Sequence, residues 1–122
     1  MNRINNVIKG LKKLKQVQTK EEAFKITTGT FKLGYVCNVT YNDLVKMFGE
    51  PILGQSMDQK VNYEWVLKQG DNVFTIYDWK RDKSYSRNIA EIWNVGGKKL
   101  TIAFEDGLMA KSKKAVFKEF VL

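Results

Sequence analysis

The feature that most restricts the fold of this sequence is a pair of alternating runs in the middle of the chain. The runs VNYEWVLKQ (61–69) and VFTIYDWK (73–80) are separated by only three residues, GDN (70–72). Residues that alternate with a period of two lie on opposite faces of a strand, and a short Gly- and Asp-containing break is typical of a β-hairpin. Because NIAEIWNV (88–95) makes a third run, we predict an antiparallel meander of three strands.

Both faces of the predicted sheet carry apolar side chains. Alternation places Trp65 and Leu67 on one face of the first strand, and on the second strand it sets Phe74 and Ile76 opposite to Tyr77. An apolar sheet face must be buried against another element or a partner. We therefore expect helices over both faces, or one aromatic face that is presented to a partner.

A fourth strand is predicted from LGYVCNVT (33–40). Its alternation puts four side chains on one apolar face, those of Leu33, Tyr35, Cys37 and Val39. We expect Cys37 to be a small buried apolar side chain, since no cation adjoins it in sequence to activate its thiol.

The segment TYNDLVKMFGEP predicts a short helix at 41–48. Thr40 and Asp43 have the spacing of a capping box, in which each side chain accepts a hydrogen bond from the backbone of the other residue. Gly49 and Pro51 are typical residues at the end of a helix.

The first 17 residues, MNRINNVIKGLKKLKQV, predict a basic amphipathic helix. Apolar side chains recur at helical spacing on one stripe, and lysines occupy the other faces. The stripe could pack on the body of the domain, or it could form a homodimer contact through Ile4, Val7, Leu11 and Leu14. A membrane surface is disfavoured, because this face has no Trp or Phe anchor.

The C-terminal segment, residues 100–122, is compatible with two arrangements. A strand LTIAF followed by a helix and one longer helix broken at Gly107 both fit, and we favour the strand followed by the helix. The whole chain is thus predicted to be one α+β domain, residues 1–122, with its core at 33–97. It would have an antiparallel sheet of about four or five strands, an N-terminal helix at 1–17, a short helix at 41–48 and a C-terminal helix.

The composition excludes several common kinds of site. The chain has 122 residues, one cysteine and no histidine, which rules out the usual zinc sites and Ser-His or Cys-His catalysis within one chain. We expect no cofactor and no metal. Since there is no run of 18 apolar residues and no signal-peptide core, we expect a cytoplasmic protein, in the host cell if it is viral.

Several short elements occur in a characteristic order along residues 33–97. They are Tyr-x-Asp-Leu, Phe-Gly-x-Pro, Glu-Trp, Ile-Tyr-Asp-Trp-Lys and Trp-x-x-Gly-Gly. Their order and spacing resemble a small domain of bacteriophage and other viral genomes. The resemblance implies a viral origin and an α+β fold, and because no catalytic motif accompanies it, it implies no site residues.

A basic, aromatic-edged surface is predicted around IYDWKRDKSYSR (76–87). Residues 80–87 hold four cations against one acid, in a chain with a net charge of +8. Flat rings stack on unpaired bases while cations follow the phosphates, so this composition suits single-stranded nucleic acid. The candidate binding residues are Tyr77, Trp79, Lys80, Arg81, Lys83, Tyr85, Arg87, Trp93, Lys98 and Lys99. In the alternative interpretation, Trp79 and Trp93 belong to the sheet and the charged loop is simply solvated.

Three functions are compatible with these residues. The one we favour is a small, non-enzymatic viral accessory protein that binds a host defence or nucleic-acid-handling complex and inhibits it. The second is a protein that binds single-stranded nucleic acid or a nucleotide directly. The third is a metal-dependent nuclease, for which Asp78, Glu91 and Lys80 come nearest to a site.

Overall fold

The structure, a computed structural model, describes residues 13–81 and 86–120. The described residues form an α+β fold in which six antiparallel strands make one open sheet. The strands are β1 Lys15–Gln16, β2 Phe31–Val39, β3 Glu64–Gln69, β4 Asn72–Tyr77, β5 Glu91–Gly97 and β6 Val116–Glu119. The helices are α1 Lys20–Thr27, α2 Tyr41–Phe48 and α3 Ile102–Lys111. The strands follow the order β1-β3-β4-β5-β2-β6 across the sheet.

The predicted meander is confirmed. Strands β3 and β4 pair from Glu64 opposite Tyr77 to Gln69 opposite Asn72, and Gly70 takes a positive φ of 62° in the turn between them. Strand β5 pairs with β4, and β2 pairs with β5 as the fourth member. The prediction of about four or five strands omitted two short strands at the edges of the sheet, β1 and β6.

The predicted side-chain faces of β2 were right for Leu33 and Val39 and wrong for Tyr35 and Cys37. The register against β5 shifts between Lys32 and Gly34 and again between Val36 and Val39. Each irregularity places an extra residue in one strand and so reverses the alternation beyond it. The buried side chains are consequently those of Leu33, Val36 and Val39, while Tyr35 and Cys37 are only partly buried.

Helix α2 begins and ends as the sequence predicts. The Thr40 hydroxyl accepts a hydrogen bond from the Asp43 backbone N–H at 2.9 Å, and the Asp43 carboxylate accepts one from the Thr40 N–H at 2.8 Å. At the other end, Gly49 has a φ of 90° and donates its N–H to the Val45 carbonyl oxygen at 2.7 Å. The capping box and the terminal glycine are therefore both confirmed.

The N-terminal helix prediction is contradicted in its described part. Residues 15 and 16 form β1, which pairs with Lys68 and Leu67 at the edge of β3. Leu14 is buried in the core and is not part of an exposed dimer stripe. The rest of that prediction, with the proposed dimer residues Ile4, Val7 and Leu11, lies outside the described residues.

The preferred order at the C-terminus was also wrong, because helix α3 precedes strand β6. Thr101 caps α3 through its hydroxyl, which accepts a hydrogen bond from the Phe104 N–H at 3.2 Å. Phe104 and Leu108 are buried one helical turn apart, so LTIAF contributes a helical face. Gly107 lies inside α3, where an added Cβ would stand only 2.7 Å from the Gln69 amide nitrogen.

Helices α2 and α3 cover one face of the sheet, where the main core lies. Its centre is a T-shaped contact between Trp65 and Trp93, with ring centroids 5.6 Å apart. Each indole N–H donates a hydrogen bond to a carbonyl oxygen, Trp65 to Gly49 at 2.8 Å and Trp93 to Val39 at 3.0 Å. Both tryptophans are thereby fixed in position as well as buried.

Helix α1 lies on the opposite face and covers only one end of it. A small second cluster forms there from Val17, Ala23 and Val66. The rest of this face, towards β5 and β2, is uncovered by any described helix. None of the described helices is long and apolar enough to cross a bilayer.

Candidate functional site

The uncovered part of the second sheet face holds a cleft of about 250 Å³. Its lining residues are Thr30, Phe31, Lys32, Val61, Glu64, Thr75, Tyr77, Trp79 and Gly96. An adjoining hollow of about 270 Å³ shares Lys32, Tyr77 and Trp79 and adds Asn94. We call the two together the open-face cleft.

Strand register brings the lining side chains together. Two rows of paired residues cross the face, Glu64–Tyr77–Asn94–Tyr35 and Thr75–Gly96–Lys32. Gly96 has no side chain to fill the space above the second row, and a Cβ there would lie 2.6 Å from the Thr75 hydroxyl oxygen. The cleft is therefore built on rigid strands, with a glycine in its floor.

The most perturbed acid in the cleft is Glu64. Burial raises its pKa to about 7, and the neighbouring Asp78 carboxylate adds to the effect. No described residue donates a hydrogen bond to the Glu64 carboxyl group. Burial also raises the pKa of Tyr77, with a contribution from the nearby Glu64 charge. Near neutral pH, Glu64 is therefore poised between its neutral and charged forms.

Asp78 has a different, structural role. It is 2% exposed, and its carboxylate accepts hydrogen bonds from the Asn62 N–H at 2.7 Å, the Asn62 amide group at 3.0 Å and the Tyr63 N–H at 3.1 Å. These contacts hold the loop before β3 against the end of β4. The Asp78 carboxylate is thus already hydrogen-bonded to backbone and amide donors of the protein, and it is not an unpaired acid in the cleft.

Trp79 stands at the mouth of the cleft between two lysines. Its side chain is 46% exposed, and the ammonium groups of Lys60 and Lys80 lie 5.8 and 5.9 Å from its ring centroid. A hydrogen bond of 2.6 Å from the Lys80 N–H to the Lys60 carbonyl oxygen joins the two segments that carry these lysines. An exposed aromatic ring with two cations nearby therefore lies on this surface, on two segments that a backbone hydrogen bond joins.

A second group of a cation and aromatic rings lies on β2. The Lys32 ammonium donates a hydrogen bond to the Tyr35 hydroxyl at 2.7 Å and lies 4.0 Å from the Tyr35 ring centroid. The Phe120 ring meets Tyr35 edge to face, with centroids 6.4 Å apart, and the same ammonium lies 5.0 Å from it. Aromatic rings and lysines therefore border the cleft from both β2 and β4.

Three of the sequence-predicted binding residues meet in this region. Tyr77 and Trp79 line the cleft, and Lys80 flanks Trp79 at its mouth. Lys83 and Tyr85 lie outside the described residues. Lys98 and Lys99 follow the end of β5 and are exposed, beyond the lining of the cleft.

The structure separates the remaining predicted residues from the cleft. Arg81 forms an ion pair with Glu91. The Arg87 guanidinium lies 4.5 Å from the Tyr41 ring centroid and 5.8 Å from that of Tyr63, beside α2. These arginines therefore do not join Trp79 in one binding surface.

Trp93 requires a correction. It is 1% exposed and faces the core, where it contacts Trp65 on the side of the sheet opposite to the cleft. Since a buried indole cannot stack on a ligand, Trp93 does not belong to the candidate surface. The core interpretation of Trp93 is the one that its burial supports.

The sequence reasoning missed several cleft residues because they come from four different strands. They are Lys32, Glu64, Thr75, Asn94 and Gly96. The alternation of β3 does place Glu64 opposite in face to Trp65, which is a usable signal. Its position across from Tyr77 and Asn94, however, depends on strand register and is not visible in a single segment.

Two other features of the described residues are weaker candidates for a site. A groove of about 410 Å³ lies beside β1 and α1, but its lining of Lys13, Lys15, Lys68, Glu22 and mostly polar neighbours contains no aromatic ring. Within residues 13–81 and 86–120, no three acidic or cysteine side chains are grouped so that they could hold a metal ion. The open-face cleft is therefore the better candidate, since it combines rings, cations and a poised acid.

Comparison of the chain with protein-family models, with curated proteins and with solved structures found no match. The resemblance to a viral domain therefore stays a prediction. Function is accordingly inferred from the residues of the cleft.

Proposed function

We propose that this is a non-enzymatic accessory protein, of the viral kind that its sequence resembles, and that it binds single-stranded nucleic acid or a nucleotide in the open-face cleft. The observation that carries the proposal is the exposed Trp79 ring, which stands between Lys60 and Lys80 at the mouth of the cleft. Aromatic rings that stack on bases, next to cations that follow the backbone, are the usual means of binding single strands.

The arrangement of charge supports this proposal. Lys32, Lys60 and Lys80 border the cleft from three separate segments of the chain, and the net charge of +8 attracts polyanions generally. The sheet face also leaves room for neighbouring bases, because Tyr77 and Trp79 come from one strand and its extension while Tyr35 lies two strands away. Successive rings could then take successive bases.

The proposal is tested with a fluorescently labelled single-stranded oligonucleotide, whose anisotropy reports binding. Stacking on one ring contributes roughly 1–3 kcal/mol, so Trp79→Ala should weaken binding by roughly 5- to 150-fold. The matched control is Phe24→Ala, which removes an exposed ring on α1 and should leave the affinity unchanged. Equal affinities for the wild-type protein and Trp79→Ala would refute the assignment of Trp79.

Salt dependence gives an independent check. If each of Lys32, Lys60 and Lys80 neutralises one phosphate, the logarithm of the affinity should fall with the logarithm of salt concentration with a slope of roughly −2. Binding that does not respond to salt would argue against contacts with a phosphate backbone.

A second candidate is the host-inhibitor function that the sequence favours. The observation for it is that apolar side chains are exposed near the cleft: Phe31, which is among its lining residues, is 58% accessible, and Ile92 on β5 is 55% accessible. Ile92→Ser, which adds no charge, should then abolish recovery of a single stoichiometric partner from host extract while the oligonucleotide affinity stays unchanged. If no partner is recovered at micromolar concentration, this candidate is not supported.

A further inference from the structure

Glu64 is an acidic residue in the lining of the cleft, and the proposed function does not give it a role. It lines a cleft bordered by lysines, and no described residue donates a hydrogen bond to its carboxyl group. Asp78, only one residue beyond the strand position paired with Glu64, has three protein donors of its own. A carboxylate has two acceptor oxygens, so Glu64 has unused capacity for two donors that come from a ligand.

This inference rests on the proposed function: we propose that the open-face cleft selects a guanine base, which donates its N1–H and an exocyclic N2–H to the two oxygens of the Glu64 carboxylate. Of the common bases, only guanine presents two adjacent donors on its pairing edge. Adenine and cytosine each place an acceptor beside a donor, and thymine and uracil offer a single N–H between two carbonyl oxygens. A carboxylate therefore makes a bidentate contact with guanine alone.

The strength of the two possible contacts favours the charged form of Glu64. Hydrogen bonds to an ionised group are about twice as strong as neutral ones. With the Glu64 pKa at about 7, the carboxylate is readily available at neutral pH. The charged or titratable groups around it are Asp78 and Tyr77 on or after β4 and Lys32 on β2. Two hydrogen bonds from guanine offset the repulsion between the Glu64 and Asp78 carboxylates. Because guanine binds the charged form of Glu64, its binding should release a proton from the molecules in which Glu64 is protonated.

The surroundings also distinguish guanine from the other common double donor, the guanidinium group of an arginine. Lys32, Lys60 and Lys80 would repel a cation, whereas they attract the phosphate that accompanies a nucleotide base. The neutral amide of Asn94 in the adjoining hollow provides a donor for the guanine carbonyl oxygen. A guanine nucleotide thus matches both the acid in the cleft and the cations at its border.

The test compares labelled heptanucleotides of thymidylate whose central base is thymine, guanine or hypoxanthine. A good bidentate contact increases the affinity by roughly 5- to 150-fold, so the guanine strand should bind tighter than the thymine strand by about that factor. Hypoxanthine lacks the exocyclic amino group, and its strand should fall between the two. The affinity for the guanine strand should also rise between pH 6 and pH 8.

Two variants separate recognition from general binding. Glu64→Gln keeps the size of the side chain but has one acceptor in place of two, so it should bind guanine and thymine strands about equally. Glu105→Gln removes an exposed acid from α3, on the opposite side of the sheet, and should keep the guanine preference. Circular dichroism of each variant confirms that it is folded.

The outcomes distinguish failure of this inference from failure of the proposed function. Equal binding of guanine and thymine strands, with affinity still lost in Trp79→Ala, overturns guanine selection and leaves single-strand binding intact. An affinity that falls from pH 6 to pH 8 also overturns it, because a neutral carboxyl would then be the binding form. If no strand binds but methylguanidinium perturbs the titration of Glu64, both proposals fail in favour of an arginine-bearing partner.

Discussion

Replacement of Glu64 by glutamine should stabilise the protein, and by an amount that depends on pH. Burial raises the pKa of Glu64 from its ordinary value of 4.5 to about 7 in the folded chain. The folded protein therefore resists ionisation of a group that ionises freely when the chain unfolds. Glutamine has nearly the same shape and no charge, so the variant removes this cost and retains the packing of β3.

The sign and size follow from proton linkage. Below pH 4.5 both states keep the proton, and Glu64 has no effect on the free energy of unfolding. Between pH 4.5 and about 7 the folded state holds more protons than the unfolded state, so stability falls as pH rises. Because each pH unit between the two pKa values is worth about 1.4 kcal/mol, the full cost above pH 7 is roughly 3 kcal/mol. That is a large fraction of the roughly 5–15 kcal/mol typical of a domain.

Urea unfolding followed by tryptophan fluorescence measures this difference. Trp65 and Trp93 are buried in the core and should report its loss. At pH 8, Glu64→Gln should be more stable than the wild type by roughly 2–3 kcal/mol, and at pH 4.5 the two should differ by much less.

The control is Glu105→Gln, in which an exposed acid in the first turn of α3 is neutralised. Its small effect on stability should be similar at pH 6 and pH 8. If Glu64→Gln changes stability by the same amount at pH 6 and pH 8, or lowers it at pH 8, the reasoning about a desolvated carboxyl group is refuted.

Substitutions at three further positions test the fold by the same urea assay. Thr40→Ala removes the capping box of α2 and should cost about 1 kcal/mol, whereas Thr40→Ser should restore most of it; equal stabilities for both would contradict the cap. Gly34→Ala places a Cβ against the carbonyl oxygen of Lys118 in β6 and should cost about 3 kcal/mol or more, and a neutral effect would mean that β6 does not pack there. Asp78→Ala removes the acceptor of the Asn62 and Tyr63 backbone N–H groups and one of two acceptors of the buried Asn62 amide, and should cost roughly 3 kcal/mol; wild-type stability would show that this carboxylate is not structural.

The interior of the sheet was largely predictable from local patterns. Alternation identified the hairpin of β3 and β4 and the faces of Trp65 and Phe74, because burial on one face imposes a period of two. The cap at Thr40 was predictable for a similar reason, since its hydrogen bonds join residues three apart.

The edges of the sheet were not predictable in this way. The two-residue strand β1 is too short to show a pattern, and β6 is defined by its pairing with β2. The face reversal in β2 was hidden for the same reason, because its register shifts appear only when β2 is aligned with β5.

The sequence by itself determined the antiparallel meander, the capped helix and the presence of rings and lysines near Trp79, since these depend on neighbours along the chain. The tertiary structure alone decided that Trp93 is core, that Arg87 lies beside α2 and that Glu64 shares a cleft with Lys32. The physical reason is that a site on a sheet face is assembled across strands. Its members are set by hydrogen-bonded register between residues far apart in sequence, and the pKa of Glu64 is set by burial that exists only after those strands have paired.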